Sequence, residues 1–379
     1  MTDGKGTGKG LEGVVAAQTS ISDIDGQQGK LFYAGYDIAD LAEHATFEET
    51  VYLLHHLALP TQAQLDEVKA TLRTGQRLDP ALVRLIAALG DSVSPMTVLR
   101  TAVSAAAALD AEVDDDSSEV NLRKAYRLVA LTPQIVAAFH RLRTGGQAVE
   151  PRDDLSPAGN FLYSLTGKEP DVQLAHDFDV CLVLYADHTM NASTFAGRIA
   201  AATLADIYAA VTAAIATLQG PLHGGAIEQV RHMLDQIGTP DRAAGYVRDR
   251  LARKQKVMGF GHRVYKTWDP RATILRAMSR RLGQQLGDSH WFEISDRIQE
   301  TVRAERNLYP NVDFYTASVY SALGIPPDLY TTLFATARMA GWTAHIREQY
   351  ADNRLIRPDS EYIGPAPRRY QDISQRGRA

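Results

Sequence analysis

Gly220-Pro221-Leu222-His223-Gly224-Gly225 breaks the chain, and Ala226-Ile227-Glu228-Gln229-Val230-Arg231-His232-Met233-Leu234-Asp235-Gln236-Ile237 follows it at helical period. Ile227, Val230, Met233, Leu234 and Ile237 fall on one face of such a helix. Pro221 stops the preceding helix, and the two glycines open the next. His223 therefore stands near a helix N-terminus, whose positive end disfavours an imidazolium. Two readings remain open: a neutral hydrogen-bond donor at a reaction centre, or a histidine that caps and packs a turn.

The same period runs through most of the chain. Ile274, Ala277, Met278, Leu282 and Leu286 share a helical face. Residues 204–218 and 104–109 are alanine-rich, which suits closely packed central helices. Strand signals are confined to residues 20–36, where Asp25-Gly26 offers a turn ahead of Leu31-Phe32-Tyr33. Alternating strand–helix units are missing, which disfavours a doubly wound sheet. The expected fold is mainly α with a short N-terminal β-hairpin. Pro326-Pro327 interrupts a helix, and residues 151–157 read as a surface loop. The tail beyond Arg357, with Pro358, Pro365 and Pro367, is expected to run along the surface or across a partner.

The chain has 379 residues, of which 45% are hydrophobic and 22% charged, which suits a globular protein with one large and one smaller domain. Forty Lys and Arg against 45 Asp and Glu give a net charge of −5, which argues against a general nucleic-acid binder. Residues 1–10, rich in Gly and Lys, read as a disordered tail rather than a secretory signal. No apolar run approaches the length of a membrane span, so a cytoplasmic location is expected. Cys181, the single cysteine, sits in an apolar run and reads as a buried packing residue. No metal is expected: CxxC and HExxH are absent, and the acidic run 110–119 has nothing EF-hand-like around it.

Chemistry-bearing residues recur in two further Gly- or Pro-rich frames. Lys256-Val257-Met258-Gly259-Phe260-Gly261-His262-Arg263 offers backbone groups that can hydrogen-bond a nucleotide base or phosphate. It lacks the rest of a dinucleotide fingerprint, so NAD is not expected. Arg271, in Asp269-Pro270-Arg271, can grip a carboxylate with a bidentate fork or form a surface salt bridge. Asp313 lies between Val312 and Phe314, where apolar company raises a carboxyl pKa and strengthens it as a base. Equally, it could cap a helix starting near Tyr315. His188 reads as a core histidine or as part of a polar cluster with Asn191 and Ser193. Arg338 lies in an apolar helix and needs an anionic partner, either structural or a substrate. Arg357 alone reads as a surface arginine. Two histidines and an aspartate are the set required for proton abstraction beside a carbonyl: the carboxylate removes the proton and neutral imidazoles stabilise the oxyanions.

Taken together these segments resemble the citrate synthase family in its short bacterial and archaeal form. The likeness runs from about Leu11 to the tail. Residues 13–38 resemble the family's N-terminal hairpin, and Gly261-His262-Arg263-Val264-Tyr265-Lys266 with Asp269-Pro270-Arg271 resembles its signature. Trp342-Thr343-Ala344-His345 and Arg357-Pro358 extend the match.

The resemblance implies an almost wholly helical homodimer. Its large domain would take residues 11–224 and 326–379, and its small domain residues 225–325. It also implies condensation of acetyl-CoA with oxaloacetate, then thioester hydrolysis to citrate and CoA, with no permanently bound cofactor. Asp313 matches the base, His223 the donor to the thioester carbonyl, and His262 the group polarising the ketone. His188, Arg271 and Arg338 match oxaloacetate contacts, Arg357 matches an arginine from the other subunit, and the backbone of residues 256–261 matches part of the CoA adenine site. In three places the chain departs from its relatives. Tyr185 stands where they usually carry histidine, Ile227 where they carry asparagine, and Arg306-Asn307 where a lysine is common. 2-Methylcitrate synthases, which use propionyl-CoA, share every motif quoted and form the alternative reading. A non-catalytic helical scaffold dimer is the alternative of another class.

Overall fold

The helix Tyr330–Ala351 is buried on every face from Tyr330 to Ile346. Its sequence has no polar stripe, and a helix of that kind is stable only inside a larger protein. Its threonines satisfy themselves: Thr336 Oγ1 donates to Thr332 O at 3.0 Å and Thr343 Oγ1 to Met339 O at 2.7 Å. Around it pack the helices Ser118–Arg143, Ala192–Ala202, Ile207–Leu218, Val172–Tyr185 and Phe47–His56. The computed structural model describes residues 9–11 and 13–376. Most of the tail expected over residues 1–10 lies outside these, and Lys9–Leu11 forms a single 3-10 turn.

Among the described residues there are sixteen α-helices and one antiparallel sheet of order β1-β2-β3, with β1 Ser22–Asp25, β2 Lys30–Tyr33 and β3 Tyr36–Asp37. The expected hairpin is thus present, with a third short strand. Its turn is wider than an Asp-Gly pair. Asp25 Oδ1 accepts from the Gln27 and Gln28 amides at 2.9 and 2.8 Å, and Gly29 takes the positive φ of 67°. Gly26 serves close approach instead, since a Cβ there would lie 2.4 Å from Val264 O.

The helices Ala226–Ile237, Pro240–Ala252, Pro270–Leu286, His290–Arg306 and Val312–Ala322 pack mainly on one another. In the first, Ile227, Val230, Met233, Leu234 and Ile237 are all buried, as their spacing requires. In Pro270–Leu286 the buried face is turned by about one residue from the expected one. Leu275, Met278 and Leu282 point inward with Arg271, while Leu286 is exposed. Arg271 lies on that buried side in an ion pair with Asp269 at 2.8 Å. Cys181 is fully buried, as expected. Beyond Ala351 the chain runs extended and exposed, carrying Leu355, Tyr362, Ile363, Tyr370 and Ile373. No helix among the described residues is long and apolar enough to cross a membrane.

Gly341 lets the long helix approach the turn after Val172–Tyr185 closely. Gly341 N donates to Ala186 O at 3.0 Å, and a Cβ at 341 would lie 2.3 Å from Asp187 Oδ1. Gly341→Ala is expected to lower stability in urea unfolding by roughly 3 kcal/mol. Gly245→Ala is the control: it lies within Pro240–Ala252 with nothing within 4 Å of its Cβ position, and should gain up to about 1 kcal/mol.

Candidate active site

Three turns meet at the candidate site. The first follows the helix Val172–Tyr185 and is held from two directions. Tyr33 OH donates to Asp187 O at 2.9 Å and accepts from Asp187 N at 3.0 Å. From the long helix, Arg338 Nε donates to Tyr185 O at 2.8 Å, and His345 Nε2 lies 3.3 Å from the Asp187 carboxylate. Burial would raise the Asp187 pKa, but His345, Arg338 and Ser22 together hold it below the ordinary carboxylate value. His188 comes next in the turn. Its Nε2 is 3.3 Å from Tyr265 OH, and its ring centroid 5.3 Å from that of His262. Burial first, then Arg271, Arg338 and His262, push its pKa well down, so the ring is neutral.

The second turn carries His262. Gly261, at φ 83°, donates its N–H to Tyr309 O at 3.0 Å, and Gly259 O accepts from Asn311 N at 2.9 Å. These bonds, with a bridge between Phe260 and Pro310, bind the His262 loop to the segment ahead of Asp313. The ring's own hydrogen bonds decide its tautomer. Nδ1 accepts from Val264 N at 3.0 Å and Tyr265 N at 3.2 Å. Backbone N–H groups can only donate, so the proton of the neutral ring sits on Nε2. Burial, then Arg271, lowers the pKa to about 4. The β1–β2 turn braces this loop, with Lys266 N donating to Gly26 O at 2.8 Å.

His223 lies in the third turn, ahead of Ala226–Ile237 as expected. Gly224 N donates to Leu218 O at 2.9 Å, an approach so close that a Cβ would sit 2.6 Å from that oxygen. The ring reaches across to another helix start: Ser193 N, in the first turn of Ala192–Ala202, donates to Nε2 at 3.3 Å, and Ser193 Oγ lies 2.8 Å away. Trp342 Nε1 donates to that hydroxyl at 3.1 Å. The N–H of His223 is therefore on Nδ1. Burial first and then Arg338 lower its pKa to about 4.

Asp313 does not cap a helix starting near Tyr315. Asn311 caps Val312–Ala322, its Oδ1 accepting from Asp313 N at 3.1 Å, and Asp313 lies in the first turn. Asp269 fixes this helix start, since its Oδ2 accepts from Val312 N at 3.1 Å while its carboxylate forks Arg271 Nε and Nη2 at 3.0 and 2.8 Å. Burial raises the Asp313 pKa to about 6, against the lowering effect of a 3.0 Å hydrogen bond from Tyr185 OH to Oδ1 and of Arg271 and Arg338.

The fold thus draws His188, His223, His262, Asp313, Arg271 and Arg338 into one electrostatic neighbourhood. Arg271 forms an internal ion pair rather than a surface one. Arg338 stacks over Phe334, 4.7 Å from its centroid, with its charge facing Asp187. Arg357 is not brought to this group within the chain: it is exposed and pairs with Asp359 at 3.2 Å. In the segment Lys256, Val257, Met258, Gly259, Phe260 and Gly261, several backbone groups are already engaged. Lys256 O accepts from Arg250 Nε at 3.0 Å, and both glycines bond to residues 309–311. Tyr185, Tyr265, Asp269 and Trp342 are site residues that sequence reasoning assigned no role. Tyr265, Asp269 and Trp342 stand inside the quoted motifs and Tyr185 at a departure from them, but their partners lie elsewhere in the chain. Among the described residues no group of three or more His, Cys, Asp or Glu is placed to hold a metal ion.

Two neutral imidazoles of opposite tautomer and a carboxylate raised to about 6 can remove a weakly acidic C–H proton while stabilising oxygens that gain charge. Nitrogen-15 NMR of histidine-labelled protein at pH 7 should show His223 as the Nδ1–H tautomer and His262 as the Nε2–H tautomer. Both should stay neutral to about pH 5, given ring pKa values of about 4. A ring that protonates near 6.5 would contradict this electrostatic picture.

The family model described as "Citrate synthase, C-terminal domain" matches residues 10–359. Citrate synthase 2 of Bacillus subtilis is 50% identical over 369 residues, covering 97% of this chain and 99% of that protein. The crystal structure of citrate synthase from Pyrobaculum aerophilum superposes with a TM-score of 0.91 at 41% identity, covering 97% of this chain and 95% of that one. Citrate synthase from Thermoplasma acidophilum, solved as a ternary complex with carboxymethyl coenzyme A and oxaloacetate, superposes with a TM-score of 0.91 at 34% identity, covering 97% and 99%. A helical fold, a site of two imidazoles and a carboxylate, and a match across nearly the whole length agree: the chain belongs to the citrate synthase family.

Proposed function

We propose that the protein condenses acetyl-CoA with oxaloacetate and hydrolyses the resulting thioester, releasing citrate and CoA. The observation that carries this reading is the pairing of two tautomer-fixed neutral imidazoles with a carboxylate of pKa about 6. Asp313 takes a proton from the acetyl methyl group. His223 donates from Nδ1 to the thioester oxygen, so the methyl carbon becomes an enol-like nucleophile. That carbon attacks the ketone carbon of oxaloacetate, while His262 donates from Nε2 to the ketone oxygen. Water then adds to the thioester, and the C–S bond breaks to give a carboxylate and the CoA thiol. The methyl group is a very weak acid, so proton removal and oxyanion stabilisation must act together.

Oxaloacetate is held by His188, by Arg338 and by Arg271, the last through the Nη1 edge that Asp269 leaves free. The buried cations that keep the histidines neutral also suit a dicarboxylate. The CoA adenine lies along residues 256–261. Residues 225–325 act as a small domain that closes on the remainder. The protein works in the cytoplasm as a homodimer, with Arg357 reaching into the site of the other copy. The exposed Tyr362, Ile363, Tyr370 and Ile373 along the same extended segment suit a strand lying on a second subunit.

Release of CoA thiol with oxaloacetate and either acyl donor tests this. Acetyl-CoA should give the higher kcat/KM. A preference for propionyl-CoA would assign the 2-methylcitrate reaction, and no release with either would leave a scaffold. The acid limb of kcat/KM should fall with decreasing pH through about 6, as Asp313 becomes protonated. Asp313→Ala should keep its circular dichroism spectrum and lose about 10²–10⁴ of turnover.

A further inference from the structure

We propose that Tyr185 is the positioning residue of the proton-abstracting carboxylate: its hydroxyl occupies Asp313 Oδ1, fixes the plane of the group and leaves Oδ2 to take the proton. This inference rests on the proposed function, because it assigns Asp313 the part of base.

Tyr185 ends the helix Val172–Tyr185 with its ring fully buried. The ring meets Phe334 edge-on, with centroids 4.8 Å apart, and its carbonyl accepts from Arg338 Nε at 2.8 Å. Side chain and backbone are thus both held by the long helix. The hydroxyl stands 3.0 Å from Asp313 Oδ1 and 3.0 Å from Thr316 Oγ1. Thr316 sends its own proton to Val312 O at 2.7 Å. The single phenolic proton therefore has two acceptors at equal distance, of which an ionised carboxylate is the stronger. Once Asp313 has taken a proton from substrate, the hydroxyl can turn to Thr316 without losing a partner. Burial raises the Tyr185 pKa well above its ordinary value, so the group stays a donor and does not compete as a base. A histidine at 185 would have a shorter reach than a phenol. The contact with Asp313 Oδ1 is therefore a property of the tyrosine in this chain.

The test replaces Tyr185 in both directions. Tyr185→Phe removes the donor, and 3,5-difluorotyrosine at 185 strengthens it with little change of shape. The readouts are the acid limb of kcat/KM, KM for oxaloacetate, and the ¹³C carboxyl titration of Asp313, identified by its loss in Asp313→Asn. With Tyr185→Phe, the acid limb and the carboxyl titration should move up by about one pH unit, kcat at pH 7 should fall about tenfold, and KM for oxaloacetate should stay within about twofold. Difluorotyrosine should move both titrations down. A folded Tyr185→Phe protein with the wild-type titration and kcat would overturn the assignment, as would shifts of the same sign in both variants. If Tyr185→Phe does not fold, the difluorotyrosine protein alone decides by the sign of its shift. If the unmodified protein releases no CoA, the function fails, and the carboxyl titration still reads the contact independently.

Discussion

Everything at the site hangs on the approach of Gly341 to the turn at Ala186 and Asp187. No side chain larger than hydrogen fits at 341, because a Cβ would stand 2.3 Å from Asp187 Oδ1 and 2.5 Å from Ala186 O. The contact clamps the end of Val172–Tyr185 against the helix Tyr330–Ala351. Once it forms, Tyr185 faces Asp313, His188 faces Tyr265 and His262, and Asn191 begins the helix whose Ser193 amide meets His223. The core that fixes the fold and the turn that orients the polar groups are therefore the same piece of packing.

Charge is arranged around that turn with economy. Arg271 and Arg338 are both buried, and each is partly matched, Arg271 by Asp269 and Arg338 by Asp187. Their remaining field, together with desolvation, drives His188, His223 and His262 below their ordinary pKa. Cationic imidazoles beside these guanidinium groups would repel one another, so the neutral form is the one compatible with the fold. The same surroundings act oppositely on Asp313, where burial outweighs the nearby cations and leaves a carboxyl that titrates near 6. One environment thus reverses the usual order of a carboxyl and two imidazoles, holding the carboxyl near 6 and the rings near 4.

Much of this was legible in local spacing. The face of Ala226–Ile237, the burial of Cys181 and the position of His223 before a helix follow from period and breakers alone. The tautomer of His262 was close to legible, because its Nδ1 partners are two and three residues further on. Other features depend on residues far away in the chain. Ser193 meets His223 from 30 positions back, and Tyr185 meets Asp313 across 128. Local reasoning also misjudged ions. The surface salt bridge open to Arg271 is instead an internal pair with Asp269, two residues earlier. At the start of the acidic run, Asp110 is buried under Tyr208 and Arg127, partners that its neighbours in sequence do not reveal. An isolated charge pattern does not say which members will find partners at a distance.

The most direct measurement is a crystal structure with oxaloacetate and an unreactive thioester analogue of acetyl-CoA bound together. His223 Nδ1 should then lie about 3 Å from the thioester oxygen, His262 Nε2 about 3 Å from the ketone oxygen, and Asp313 Oδ2 against the carbon that loses its proton. Ligands seated elsewhere, or those three side chains facing away from any shared ligand, would contradict the assignment of these residues to a single bond-forming centre.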